Sequence, residues 1–364
     1  MFSSSPRYLT LVQQVARRLE EDIRRGVLRE SLPGERELVA KLQVSRRTIR
    51  AAVRILGEKH LVCTSRGVTS RIIGRPRVRP SRLPERTIGM LLPLPVGEIQ
   101  PYSSVVDNLR ALLYPNGFRL DTYYHKHYYS RHPAAALKRL VGRYACDAWI
   151  LGSANKACQT WFLEQGLPTV LQGTAHDGIL LPFVDIDMLA TARHAANTLL
   201  RHGHRRIALL INDSDWAGHR KTEQGFLEAV GHFGQDASGQ VLRHRGEVKA
   251  LEQLIARLLS VRLPPTALFV VNPLHYLSVA AILAEKGLHV PRDISLLCRD
   301  DDVCLRYLPV EPSRYVCDSQ ARAKQLFSAL MRTMRSVPAQ RYVKSTLMLP
   351  TFVKGASIAR PETT

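Results

Sequence analysis

Apolar residues recur at Leu11, Val15, Leu19 and Ile23, a spacing that draws one buried face and predicts a helix from Thr10 to Arg25, ended by Gly26. After Leu32-Pro33-Gly34 the stretch Glu35 to Leu42 reads as a second, short helix, with Glu35 and Glu37 in its first turn and Leu38, Val39 and Leu42 as its packing face. A tight turn at Gln43-Val44 follows. Ser45 then has the character of an N-cap for a third helix, whose Ile49, Val53 and Leu56 face inward while Arg46, Arg47, Arg50 and Arg54 project elsewhere. Leu61 to Thr64 and Thr69 to Ile73 alternate as two strands about the turn Ser65-Arg66-Gly67. From Thr87 onward the period changes repeatedly. Strand-like runs at Ile88–Leu92, Arg119–Tyr124, Ala148–Leu151, Pro168–Leu171, Ile207–Ile211, Ala267–Val271 and Ile294–Leu297 are separated by helical stretches such as Asp107–Tyr114, Ala134–Arg143, Lys156–Gln165, Arg193–Arg201, Lys221–Phe233, Leu251–Leu259 and Leu277–Lys286. Such alternation predicts an α/β fold with parallel sheets covered on both faces, and the length allows two lobes.

Short helix, tight turn and a helix with an arginine-rich start form the helix-turn-helix arrangement, and the hairpin behind it makes a wing. In that geometry the first residues of the third helix reach base edges in the major groove, where an arginine can donate two hydrogen bonds to guanine. Arg46, Arg47, Thr48 and Arg50 are the candidates for reading DNA. Arg66 at the wing tip suits the minor groove or a phosphate, and Gly67 lets the backbone come close. Gly74 to Thr87 hold Pro76, Pro80 and Pro84 and five arginines, the composition of an extended linker. The expected organisation is therefore 1–73 winged helix-turn-helix, 74–87 linker, 88–358 a two-lobed domain and 359–364 a tail.

Charge sharpens this. The chain carries a formal +21, which points to a polyanionic partner. Residues 1–87 hold 20 Lys and Arg against 8 Asp and Glu, so more than half of the excess sits in about a quarter of the chain. Met1 to Thr10 contain no apolar run and no stretch approaches a membrane span, which predicts a cytoplasmic protein without membrane contact. The cysteines (Cys63, Cys146, Cys158, Cys298, Cys304, Cys317) include no C-x-x-C pair, so neither a zinc site nor a redox motif is expected. No G-x-S-x-G, P-loop, H-E-x-x-H or Rossmann fingerprint occurs, and the expectation is a non-enzyme without cofactor or metal. His125 and His127 alone, with no supporting ligand pattern, do not make a metal site.

Two resemblances follow from particular residues. Pro33-Gly34-Glu35-Arg36-Glu37-Leu38, Val44-Ser45-Arg46-Arg47-Thr48-Ile49-Arg50 and the glycine-containing wing are similar to the gluconate-repressor (GntR) type of winged helix over about residues 8–73. By that resemblance Arg36, Ser45, Arg46, Thr48, Arg50 and Gly67 would contact DNA. Gly34 stands where the family usually has Ser, and Ser65-Arg66-Gly67-Val68-Thr69 is poorer in glycine than the usual wing. Further on, Arg201-His202-Gly203-His204-Arg205-Arg206-Ile207-Ala208, Gly225-Phe226, Pro264-Pro265-Thr266-Ala267-Leu268-Phe269 and Val290-Pro291-Arg292-Asp293-Ile294-Ser295-Leu296 resemble the effector domain of the lactose/galactose repressor (LacI/GalR) family, itself similar to periplasmic sugar-binding proteins. This pairing of head and body is similar to that of the arabinose repressors of Gram-positive bacteria. The resemblance implies a sugar-sized ligand between two lobes and a homodimer on a double-stranded DNA operator.

The pocket differs from the family pattern. Asn272-Pro273 replaces Asn-Asp, which removes an expected carboxylate, and Thr222 stands where an arginine often binds the ligand, three residues before Gly-Phe. Asp300, in Cys298-Arg299-Asp300-Asp301-Asp302, matches the acidic ligand position. Because ligands of parallel sheets gather at the carboxyl ends of strands, Tyr102, His125, Asn155 and Trp216 join Thr222, Asn272 and Asp300 as ligand-lining candidates. The function expected is that of a DNA-binding transcription regulator, a repressor by resemblance, modulated by a small sugar-like molecule. The alternative is a regulator whose cleft has lost its sugar and answers to a protein partner; a thermal shift with any saccharide separates the two.

Overall fold

The apolar spacing near the start of the chain forms α1 (Leu11–Arg24), which lays Val15, Leu19 and Ile23 against Leu38 of α2 (Glu35–Leu42) and Ile49, Ala52 and Leu56 of α3 (Arg46–Glu58). Gln43, with φ at 52°, reverses the chain between α2 and α3, a left-handed conformation that suits a one-residue turn. β1 (Val62–Cys63) and β2 (Arg71–Ile72) pair antiparallel. Leu32 N donates to Ser70 O at 2.9 Å, which ties this hairpin to the loop before α2.

The computed structural model describes residues 11–24, 28, 31–59, 61–63, 70–72, 86–93, 102–335 and 344–361. Gly26, the wing turn Ser65-Arg66-Gly67 and linker residues 74–85 lie outside the described residues, as does the side chain of Tyr102. The chain divides into two units, Met1–Leu83 and Pro84–Thr364. Arg86 and Thr87, which the sequence places in the linker, already open the first strand of the large unit, because Thr87 N donates to Asp147 Oδ2 at 2.8 Å and pins that edge of the sheet.

The first sheet of the large unit holds β3 (Arg86–Leu92), β4 (Phe118–Tyr124), β5 (Ala148–Gly152), β6 (Thr169–Gln172), β7 (Phe183–Ile186) and β13 (Ser345–Met348), all parallel, in the order β13-β7-β6-β5-β3-β4. Helices α4 (Tyr102–Leu113) and α11 (Ser319–Arg335) cover one face with Val105, Leu109, Leu326 and Leu330; α5 (Ala134–Arg143) and α6 (Lys156–Glu164) cover the other around Trp149 and Phe162. The second sheet, β14-β12-β11-β10-β8-β9, is built from β8 (Arg206–Asn212), β9 (Ser238–His244), β10 (Ala267–Val270), β11 (Ser295–Cys298), β12 (Ser313–Val316) and an antiparallel β14 (Thr351–Val353). Helices α7 (Met188–Arg201) and α8 (Ala217–Phe233) lie on one of its faces, α9 (Val248–Leu259) and α10 (Pro273–Glu285) on the other. α7 and α8 approach so closely that a Cβ at Gly225 would overlap the carbonyl oxygen of Leu189.

The chain passes between the sheets at 186–188, 316–319 and 348–351. Asp187 N donates to Met348 O at 2.9 Å, binding two of these crossings together. Ala359, assigned by sequence to the tail, exchanges hydrogen bonds with the Ser295 hydroxyl, so the segment through Pro361 packs on the second lobe, where Pro361 lies against Gly203.

Candidate functional sites

In the small unit Ser45 caps α3: its hydroxyl accepts from Thr48 N at 3.1 Å and lies 2.8 Å from Thr48 Oγ1. The cap fixes where the helix begins and hence which side chains stand at its start. Arg46 and Arg47 follow directly and are exposed, as is Arg36 on α2. Arg50 is exposed but not loose. Its Nε lies 3.0 and 3.1 Å from the two carboxylate oxygens of Glu35, the first residue of α2. Gly34 gives α2 no side-chain cap, and Glu35 supplies negative charge at that helix start instead. The structure thus groups Arg36, Ser45, Arg46, Arg47, Thr48 and Arg50 on α2 and the start of α3, while Arg66 and Gly67 lie outside the described residues. Glu35 was the member that sequence reading treated only as a first-turn acid.

The large unit presents the second candidate site, at the carboxyl ends of the two sheets. Thr222 is fully buried; its hydroxyl donates to Gly218 O at 2.9 Å and accepts from Arg299 Nη1 at 3.0 Å. Arg299 also grips Asp300 with two parallel bonds of 2.9 and 2.8 Å. Thr222, where the resemblance expects an arginine, thus accepts a hydrogen bond from the guanidinium of Arg299. Across the crossing, Asp185 at the end of β7 accepts from Thr174 Oγ1 at 2.6 Å, Ile186 N at 2.8 Å and Arg322 Nη2 at 3.2 Å. Arg299 also feels the Asp185 charge. Buried cations and anions are thus matched one to one, the arrangement that makes burial of charge tolerable.

Histidines line the same edge. His219 lies 5.0 Å from Trp216, ring to ring, and its Nδ1 is 2.7 Å from Ser214 Oγ. Burial, reinforced by the Arg299 charge, pushes its pKa down to about 3. His244, at the end of β9, is pushed down to about 4 by burial and by His275, whose ring meets it edge-on at 4.5 Å. These rings are neutral near pH 7, so the edge offers hydrogen-bonding groups and not added positive charge. On the rim, Arg220 of the second lobe donates to His176 Nδ1 of the first at 3.0 Å and to Asp215 at 2.7 Å.

Of the sequence candidates, Thr222 and Asp300 meet through Arg299, and half-buried Trp216 adjoins them through His219. Asn272 and Asn155 are N-caps: Asn272 Oδ1 accepts from Leu274 N and His275 N, and Asn155 Oδ1 from Cys158 N. Asn155 also donates to Tyr129 O. His125 is exposed at the end of β4, where its Nδ1 accepts from His127 N. Sequence reading missed Asp185, Arg322, Arg299, His219 and His244. Arg299 had a local signal, its place beside Asp300, and His219 has its ring partners Ser214 and Trp216 close in sequence; Asp185 and Arg322, and His244 with His275, are paired by residues distant in the chain.

Two family profiles match the chain: bacterial regulatory proteins of the gntR family over residues 11–72, and a periplasmic binding protein-like domain over residues 196–358. The chain is a winged helix-turn-helix module followed by a two-lobed, parallel-sheet domain of the periplasmic-binding-protein-like fold. It is 29% identical over 136 residues to the HTH-type transcriptional repressor CytR of Escherichia coli K12, covering 37% of this chain and 40% of that protein. With the HTH-type transcriptional regulator DegA of Bacillus subtilis it shares 30% identity over 182 residues, 48% of this chain and 52% of the relative. The matches thus span about half or less of these relatives' own length. A LacI family transcriptional regulator from Enterococcus faecium, solved with bound ribose, superposes with a TM-score of 0.62 at 19% identity, covering 76% of this chain and 100% of that one, a likeness of fold. All three are transcription regulators by name. Among the described residues no helix is long and apolar enough to cross a membrane, and no three His, Cys, Asp or Glu side chains are arranged to hold a metal ion.

Proposed function

We propose that this protein is a sequence-specific DNA-binding transcription regulator whose affinity for its operator is modulated by a small molecule held between the two lobes of the large unit. The observation that carries the reading is the start of α3: a side-chain cap at Ser45, exposed Arg46 and Arg47, and Arg50 steadied by Glu35. Exposed arginines on a rigid helix start can donate in pairs to guanine, whereas cations on a floppy segment hold phosphate without discrimination. The gntR-type assignment of this module rests on the profile match and on the Ser45-to-Arg50 motif.

The Arg299–Asp300 pair seated on Thr222 is the ligand-reading element of the effector site, since it presents donors and acceptors together at the carboxyl edge of β11. The lobes close on ligand about the crossings at 186–188, 316–319 and 348–351. Two copies form a homodimer. Leu274 and Tyr307, on elements packed against each other, are 56% and 82% exposed and supply an apolar face for that pairing. Release from DNA on ligand binding, as in a repressor, is the direction expected.

Selection of bound sequences from a random duplex pool at fixed salt tests the reading. Wild type is expected to enrich a two-fold-symmetric motif, and Arg46→Ala or Arg50→Ala to lose it. Salt-sensitive binding without sequence preference would make the small unit a generic anchor and sink the proposal.

A further inference from the structure

Gln172 ends β6, a central strand of the first sheet, and is 0% exposed, yet among the described residues neither its side-chain nitrogen nor its side-chain oxygen has a hydrogen-bond partner. Buried carboxamides are ordinarily paired, because an unpaired donor and acceptor forgo their bonds to water and receive nothing in return. Alternation along β6 puts Gln172 on the same face as Val170, which packs with Ala323 and Leu326 of α11. In register Gln172 faces Val184, whose successor is Asp185, the partner of Arg322. The carboxamide therefore sits at the carboxyl edge of the sheet, on the α11 side of the row that holds the Asp185–Arg322 pair. His176, four residues on, is also buried, and among the described residues its Nε2 has no hydrogen-bond partner.

We propose that Gln172 is a ligand-reading residue, and that its carboxamide pairs with a neutral group presenting an adjacent donor and acceptor, such as a vicinal pair of hydroxyls. This deepens the reading of the cleft as a small-molecule sensor and rests on it. The ligand is neutral because the buried charges nearby are already matched, Asp185 with Arg322 at 3.2 Å and Asp300 with Arg299 at 2.8 Å. A charged ligand would bring one unpaired charge into a balanced, desolvated site. The unliganded protein carries the cost of an unsatisfied carboxamide, and the ligand removes it.

This gives a signature that a purely structural glutamine would not show. Gln172→Leu has similar volume and no polar atoms, so it should melt above wild type while losing its response to ligand. Thermal unfolding of the full chain, followed by fluorescence of its three tryptophans, all within residues 84–364, is read with ribose, glucose, maltose and a phosphate ester of glucose as probes. A neutral sugar is expected to raise the wild-type melting temperature, with about ten- to a hundredfold weaker apparent affinity in Gln172→Leu. A full shift retained in the variant overturns the role of Gln172 and leaves the sensor reading standing. Silence of every neutral probe on wild type takes down the sensor reading and this inference with it. A larger wild-type shift with the phosphate ester than with glucose overturns the neutral-ligand assignment. If both Gln172→Leu and the flexible Gln172→Met melt below wild type, the carboxamide is a satisfied structural group and the inference fails.

Discussion

Arg299→Leu should expose how the effector site tolerates charge. Arg299 is 7% exposed and donates two bonds to Asp300, whose side chain is 23% exposed. Removing the guanidinium leaves a mostly buried carboxylate without its cation, a change that costs about 3–5 kcal/mol when the pair is fully buried. The residual exposure of Asp300 places the expected loss near the lower limit, about 3 kcal/mol. Thr222 contributes little to that figure, because its hydroxyl keeps its bond to Gly218 O. Replacing both partners, Arg299→Leu with Asp300→Leu, removes the stranded charge, and the double variant should lie within about 1 kcal/mol of wild type. The coupling energy is then about 2 kcal/mol or more, well above the few tenths by which independent sites depart from additivity. Urea unfolding followed by tryptophan fluorescence measures it in the large unit, since Trp149, Trp161 and Trp216 all lie there. A double variant as unstable as the sum of the two singles would show that the two groups are not energetically paired, and the account of Arg299 as an Asp300-bound cation would be wrong.

Acid should weaken the large unit through its buried histidines. The folded pKa values of His204, His219 and His244 are depressed to about 4, 3 and 4, chiefly by burial, from an ordinary 6.5, so the unfolded chain binds more protons and the stability they confer is present above pH 6.5 and lost as pH falls toward 4. Each contributes a slope of up to about 1.4 kcal/mol per pH unit; urea midpoints taken down that range should fall, less steeply in His219→Gln, and a midpoint that rises on acidification contradicts the assignment. Glu35→Gln removes a negative charge beside Arg50 and frees its guanidinium, so binding to arbitrary duplex should strengthen while the preference for the selected motif narrows; a variant that keeps full discrimination by gel shift would show that Glu35 does not orient Arg50. Gly225→Ala should force α7 and α8 apart, because the added carbon meets the Leu189 carbonyl, with a loss of about 1–3 kcal/mol in the same urea assay; an unchanged midpoint would mean the helices can slide at no cost. Tyr307→Glu should shift the full chain toward monomer in sedimentation if the face formed by Leu274 and Tyr307 pairs two copies, and an unaltered mass would move the interface elsewhere.

What could be read along the chain was whatever local period and local chemistry decide. α2 spans Glu35–Leu42 as its pattern implies, and Ser45 caps α3 because the donor it satisfies, Thr48 N, is only three residues away. Apolar strands such as β8 and β10 announced themselves, being buried on both faces. β7 and β12, which carry buried charges, did not. β7 carries Asp185, whose charge is matched by Arg322 from 137 residues further on, and β12 carries Arg314, buried against Asp301 and Glu311. β9 lies at an edge with half-buried and exposed residues and was not read, and neither was α11, which begins behind the Asp318 cap. The same division holds for the sites. The arginines at the start of α3 are neighbours in sequence, so one helical turn suffices to group them. At the proposed effector site, sequence supplied Asp300 and the missing arginine at 222, but only tertiary packing could show that Arg299 turns onto Thr222, 77 residues away. Hydrogen-bond partners of buried charges are set by which strand ends meet across the fold, a property that no local period encodes.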